Sequence, residues 1–195
     1  MSVRQDLLSC LRWSVFEDQQ EIKIASGINE HGQQMYIPLL EHHIAKQSLV
    51  QPPKSRVEIL SKDVLEAQHF SMVPKDFEYK GLVIEHEDGS PVTIGEFVIQ
   101  AHKHLNEFKD VITHCNFFEF WFDLGKMSKD TERLGVKVLF EEAASRNLEG
   151  RDAIFVYTNF VYEDGRPIKD KNGRPVNMWW ERLSYALRQR QKVRK

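Results

Sequence analysis

Apolar residues recur along this chain at two spacings, and the switch between them marks out its elements. Ile94, Val98, Ala101, Leu105 and Phe108 follow one another at steps of four, three, four and three. That spacing draws one buried stripe down a helix. Thr93 stands three residues before Glu96, the capping-box spacing in which hydroxyl and carboxylate satisfy free N–H groups of the first turn. The helix is therefore expected to begin there. Just upstream, Leu82, Val83 and Ile84 form an apolar run closed by Asp88-Gly89-Ser90-Pro91, where glycine tolerates positive φ and proline fixes it. Residues 82–108 thus read as strand, turn and capped amphipathic helix.

The same reading extends to both sides. Leu7, Leu8, Leu11 and Val15 sit at helical spacing and predict a short first helix over residues 3–16. Residues 21–25 (EIKIA) alternate, and residues 35–40 form a second apolar run after the turn signal Asn29-Glu30-His31-Gly32, which predicts a hairpin. Pro52-Pro53 breaks the chain before residues 56–60 (RVEIL), which alternate like a half-buried strand. Residues 110–124 (DVITHCNFFEFWFDL) fit either a helix or a strand, and their length favours helix. Residues 135–141 and 153–162 have strand composition. Two turn signatures, Asp164-Gly165-Arg166-Pro167 and Asn172-Gly173-Arg174-Pro175, precede a closing helix from about residue 177. Strands and helices are interspersed without a strict βαβ rhythm, which predicts a single α+β domain with a mainly antiparallel sheet packed against a few helices.

Composition narrows the class. A chain of 195 residues, 41% hydrophobic and 29% charged, suits one domain with its own core. No apolar run approaches the roughly 20 residues needed to cross a bilayer, and the N-terminal segment lacks a small-residue cleavage pattern. An intracellular protein, cytoplasmic or nuclear and without membrane contact, is expected. Cys10 and Cys115 are too few for a disulfide framework. The net charge of −2 is unevenly spread: residues 151–195 hold 11 Lys and Arg against 5 Asp and Glu, leaving 16 against 24 for the rest. The C-terminal quarter is a basic pole.

The order PPKSRVEIL, SPVTIGEFVIQAHKHL, an aromatic and charged helix, then GVKVLFEEAASRNLEG resembles a widespread domain family of fungi that carries no assigned function. The resemblance spans about residues 52–150 and rests chiefly on Val92-Thr93-Ile94-Gly95 and the strand at Gly135. It implies an α+β domain and nothing about activity.

Candidate chemistry is sparse. His102 and His104 flank the buried stripe, so either can reach a pocket and transfer a proton. Two residues apart on a helix, they diverge by about 160° and do not form a metal pair. His42 and His43, being adjacent, are expected to splay, and no metal or cofactor is assigned. His114 beside Cys115 is expected to point away from it, which favours a packed cysteine over a nucleophile. No phosphate-binding loop, dinucleotide fingerprint or nucleophile elbow occurs.

The surplus features suggest surfaces instead. Four Phe and one Trp fall within residues 117–122, more than one helix face buries against a thin sheet, so Phe117, Phe118 and Trp121 are candidates for a partner surface beside their ordinary fate in a core. Trp180, Leu183 and Leu187 make a docking stripe on the last helix, which leaves Trp179 as a contact residue. Arg188, Arg190, Lys192, Arg194 and Lys195 exceed what a helix dipole needs and suit an acidic surface or a phosphate backbone. Arg166 and Arg174 follow glycine turns and suit an anion clamp, although surface turns explain the glycines and prolines alone. The leading expectation is a non-enzymatic interaction module with a protein partner or self-association. A cavity-type acid–base enzyme or small-molecule binder and a nucleic-acid-binding tail are the alternatives.

Overall fold

The protein is seen in a computed structural model that describes residues 1–69, 73–113, 136–148 and 150–162. The aromatic run at residues 117–122, both arginine turns and the basic C-terminal helix lie outside the described residues.

The architecture is α+β. A four-stranded sheet has the order β7 (Leu82–Glu85), β6 (Arg56–Ser61), β9 (Arg151–Tyr162), β8 (Val136–Leu148). A three-stranded sheet joins β2 (Leu11–Arg12), β3 (Lys23–Ile28) and β4 (Gln34–Pro38), and a small pair joins β1 (Ser2–Val3) to β5 (Val50–Gln51). All pairs are antiparallel except β6 with β9, which run parallel through Glu58↔Ala153 to Ser61↔Val156. The expected mainly antiparallel sheet is present, and its centre is a parallel pair joining segments far apart in sequence.

The capped helix forms as its spacing requires. Helix α3 (Ile94–Glu107), following α1 (Gln5–Leu8) and α2 (Lys62–His69), has both arms of the capping box: Glu96 N–H donates to Thr93 Oγ1, and Thr93 N–H donates to Glu96 Oε2 at 2.8 Å. Ile94, Val98, Ala101 and Leu105 are buried, and Phe97 widens the stripe. The hairpin also forms, with Ile24 opposite Ile37 and a bulge between Ala25 and Gly27.

The N-terminal expectation needs correction. Only Gln5–Leu8 is helical; Leu11, Trp13 and Val15 are buried at every second position, the spacing of a strand. Val15 N–H donates to Val138 O, and Phe140 N–H donates to Trp13 O, so this segment closes the outer edge of β8. Trp13 stacks on Phe140 with ring centroids 4.9 Å apart and meets Phe97 edge-on at 6.4 Å. Packing of one large ring between sheet and helix overrides the helical spacing of the leucines. His42 and His43 do not splay either: their rings lie 4.3 Å apart, tilted by 33°, where the extended backbone of His42 caps the 3-10 turn that begins at His43.

Candidate functional site

The two candidate histidines sit on α3 and serve different neighbourhoods, as their angular separation requires. His102 Nδ1 accepts the Trp13 indole N–H at 3.3 Å, while Asn106 Nδ2 donates to Val15 O and His102 O, both at 2.8 Å. This side of the helix ties the extended 13–15 segment to the core. Burial lowers the His102 pKa against a smaller opposing pull from Asp18.

His104 belongs to a ring cluster with Phe77, Tyr79 and Phe108. The Tyr79 hydroxyl accepts from Ser61 N–H at 2.7 Å and lies 3.1 Å from His104 Nε2. The phenol can give its proton to Nε2 or accept one from it, so the pair stays hydrogen-bonded in either tautomer of the imidazole. Burial pushes the Tyr79 pKa up to about 12 and, ahead of the opposing pull of Glu107, lowers that of His104. Both shifts favour the uncharged pair. The two polar tips are turned on each other, so the arrangement holds the segment before β7 against the end of β6.

Nearby, at the C-terminal ends of the parallel strands, Thr158 Oγ1 donates to Asp63 Oδ2 at 2.8 Å, and both residues are buried. Asp63 lies in the first turn of α2, where the helix dipole favours a carboxylate. On the other end of α3, His86 Nδ1 lies 2.9 Å from Ser90 Oγ and its Nε2 lies 3.2 Å from Glu96 Oε1. Burial raises the Glu96 pKa, but bonds from Thr93 and the neighbouring His86 outweigh it and the net shift is downward. This hydroxyl, imidazole and carboxylate row braces a turn against a helix cap. No group of His, Cys, Asp or Glu among the described residues has the geometry to hold a metal ion.

The most exposed apolar surface lies elsewhere, on the β3–β4 hairpin. Ile28, Met35, Tyr36 and Leu40 are exposed by 54%, 45%, 41% and 55%, which places four of the six large exposed hydrophobics among the described residues within one hairpin and its exit. Residues 30–36 are exposed without interruption, so the outer part of the hairpin projects as an arm with water on both faces, while its base is anchored in the core by Ile24, Ile37 and Leu39. Arg12 lies over the Tyr36 ring at 5.6 Å. A cleft of about 450 Å³ opens at the arm's base, lined by residues 19–23 and 38–41 with Val98 and Ile99. Residues 32–40 carry no charge; this signal was available in the sequence, beside the turn that announced the hairpin.

Of the sequence-derived site residues, His102 and His104 are described and are not brought together. Phe117, Phe118, Trp121, Arg166, Arg174, Trp179, Arg188, Arg190, Lys192 and Arg194 lie outside the described residues, as do His114 and Cys115. No helix among the described residues is long and apolar enough to cross a membrane. No protein family, curated protein or solved structure matches the chain.

Proposed function

We propose that this protein is a non-enzymatic interaction module that binds a protein partner through the β3–β4 arm. The observation that carries the reading is the arm itself: a hairpin with apolar side chains in water on both faces and an uncharged outer strand. Beyond the β2 pairing and the core contacts of Ile24 and Ile37, the outer part of the arm has no further packing among the described residues, and exposed strand edges are normally blunted by charge. Here charge is missing where it would protect. The paired bonds of Tyr79 and His104 agree with this reading, since they commit the best-placed acid–base groups to internal contacts.

The test is photo-crosslinking in cells from a benzophenone amino acid at position 36 of the full chain, with position 83 as control. Val83 is comparably exposed, at 43%, but lies on β7. The reading expects an interchain adduct from position 36 well above that from position 83. Equal yields, or adducts that are all intrachain, overturn it.

A further inference from the structure

The direction of each backbone group on β4 follows from two hydrogen bonds. Leu39 N–H donates to Ile22 O and Asn29 N–H donates to Gln33 O, each at 2.9 Å. Backbone groups of an antiparallel strand point alternately toward and away from the partner. Residues 33, 35, 37 and 39 therefore turn their N–H and C=O groups toward β3, and the extra residue of the bulge lies on β3, leaving this phase intact. Gln34, Tyr36 and Pro38 turn theirs outward. Pro38, with no N–H to offer, occupies a position where none is needed by β3.

We propose that this outward edge pairs with β4 of a second copy of the chain, antiparallel about a two-fold axis at Tyr36. The proposal rests on the interaction-module reading and names its partner. In this register the two Tyr36 residues exchange N–H and C=O bonds, and Gln34 N–H of each copy meets Pro38 C=O of the other. Met35 falls opposite Ile37, so apolar side chains meet apolar ones. A shift of the axis to Met35 sets Gln34 against Tyr36 and Gln33 against Ile37, polar against apolar. Residues 32–40 are uncharged, so the strands themselves bring no like charges together, and the cation nearest the axis, Arg12, is held over its own Tyr36 ring 5.6 Å from the centroid. The outer edge of β7 differs, since Glu85 lies within it and Lys80 and Glu87 flank it.

The experiment uses the purified full chain. Sedimentation velocity should show the mass rising with concentration from 22.9 kDa toward twice that value. Tyr36→Pro removes the outward N–H without touching a β3–β4 bond and should hold the protein monomeric with unchanged circular dichroism. In the proposed register the two residues at position 36 have Cα atoms about 5.5 Å apart, within disulfide reach. Tyr36→Cys should then oxidise to a covalent dimer at least tenfold faster than Val83→Cys, with the wild-type chain controlling for Cys10 and Cys115. Faster closure at Met35→Cys than at Tyr36→Cys overturns the register. A monomer at every concentration, or a dimer indifferent to Tyr36→Pro, overturns the second copy as occupant. If position 36 still captures a different polypeptide in cells, the arm reading survives that loss; if it captures none, both fall.

Discussion

Three histidines among the described residues have pKa values lowered by burial, His42 and the α3 pair His104 and His102, and it is at the α3 pair that pH should act on contacts within the core. Burial lowers both pKa values from the ordinary 6.5, with Glu107 and Asp18 supplying weaker opposing pulls. Below pH 6.5 the unfolded chain therefore takes up protons that the native imidazoles refuse. The unfolded state binds more protons, so stability rises with pH across this range and falls as pH drops from 6.5 toward the depressed native values. Urea denaturation should accordingly give a lower unfolding free energy at pH 5 than at pH 7.5, with a smaller difference in a variant carrying His102→Gln and His104→Gln. An unchanged difference in that variant would assign the pH response elsewhere. Asp6, Asp88 and Glu96 do not confuse the measurement, because their pKa values are lowered and their loss of stability begins only in the carboxylate range, below that of histidine.

At the scale of elements, α3 is the piece whose sequence and structure agree most closely, and the reason is local. Its stripe, its cap and the preceding turn at Gly89 (φ 76°) each lie within one short segment. Thr93→Ala removes the hydroxyl that receives Glu96 N–H and should lower stability by about 0.5–2 kcal/mol. Chemical denaturation checks this, and a loss near zero would mean that the Thr93 N–H and His86, both still bonded to Glu96, hold the cap without the hydroxyl. The hairpin was legible for similar reasons, since alternation, turn and apolar run are adjacent. The first helix was misread because Leu7, Leu8, Leu11 and Val15 fit a helix, whereas Leu11, Trp13 and Val15 fit a strand equally well. Trp13 decided the matter through contacts with Phe97 and Phe140, both far along the chain. Helix α2 gave little signal because its buried residues are Asp63, Val64 and Ala67, a stripe with a carboxylate in it.

For the molecule as a whole, the feature hardest to read from sequence is the parallel seam between β6 and β9. Strand composition identified both segments, but neither periodicity nor turn chemistry says which of several strands lies beside which. Long-range contacts run beside the seam, among them the buried Thr158 to Asp63 hydrogen bond, which joins β9 to the helix that follows β6 across 95 residues. A hydrogen bond to a buried carboxylate contributes more than one between neutral groups, and removing its donor leaves the acceptor to bear part of its desolvation cost. Thr158→Val preserves shape and β-branching while deleting the hydroxyl, and should cost about 1–3 kcal/mol. Its effect should also be localised. The β2–β3–β4 sheet is separate from the sheet that holds the seam, so the amides of the arm should exchange with solvent through openings that do not require the seam to part. Hydrogen exchange of the variant should therefore show amides of β6 and β9 accelerating, with those of residues 34–37 unchanged at the same protein concentration. Acceleration of the arm in step with the seam would instead mean that the molecule opens as one cooperative unit, and that the arm depends on the core for its order rather than standing ready, preformed, for a partner.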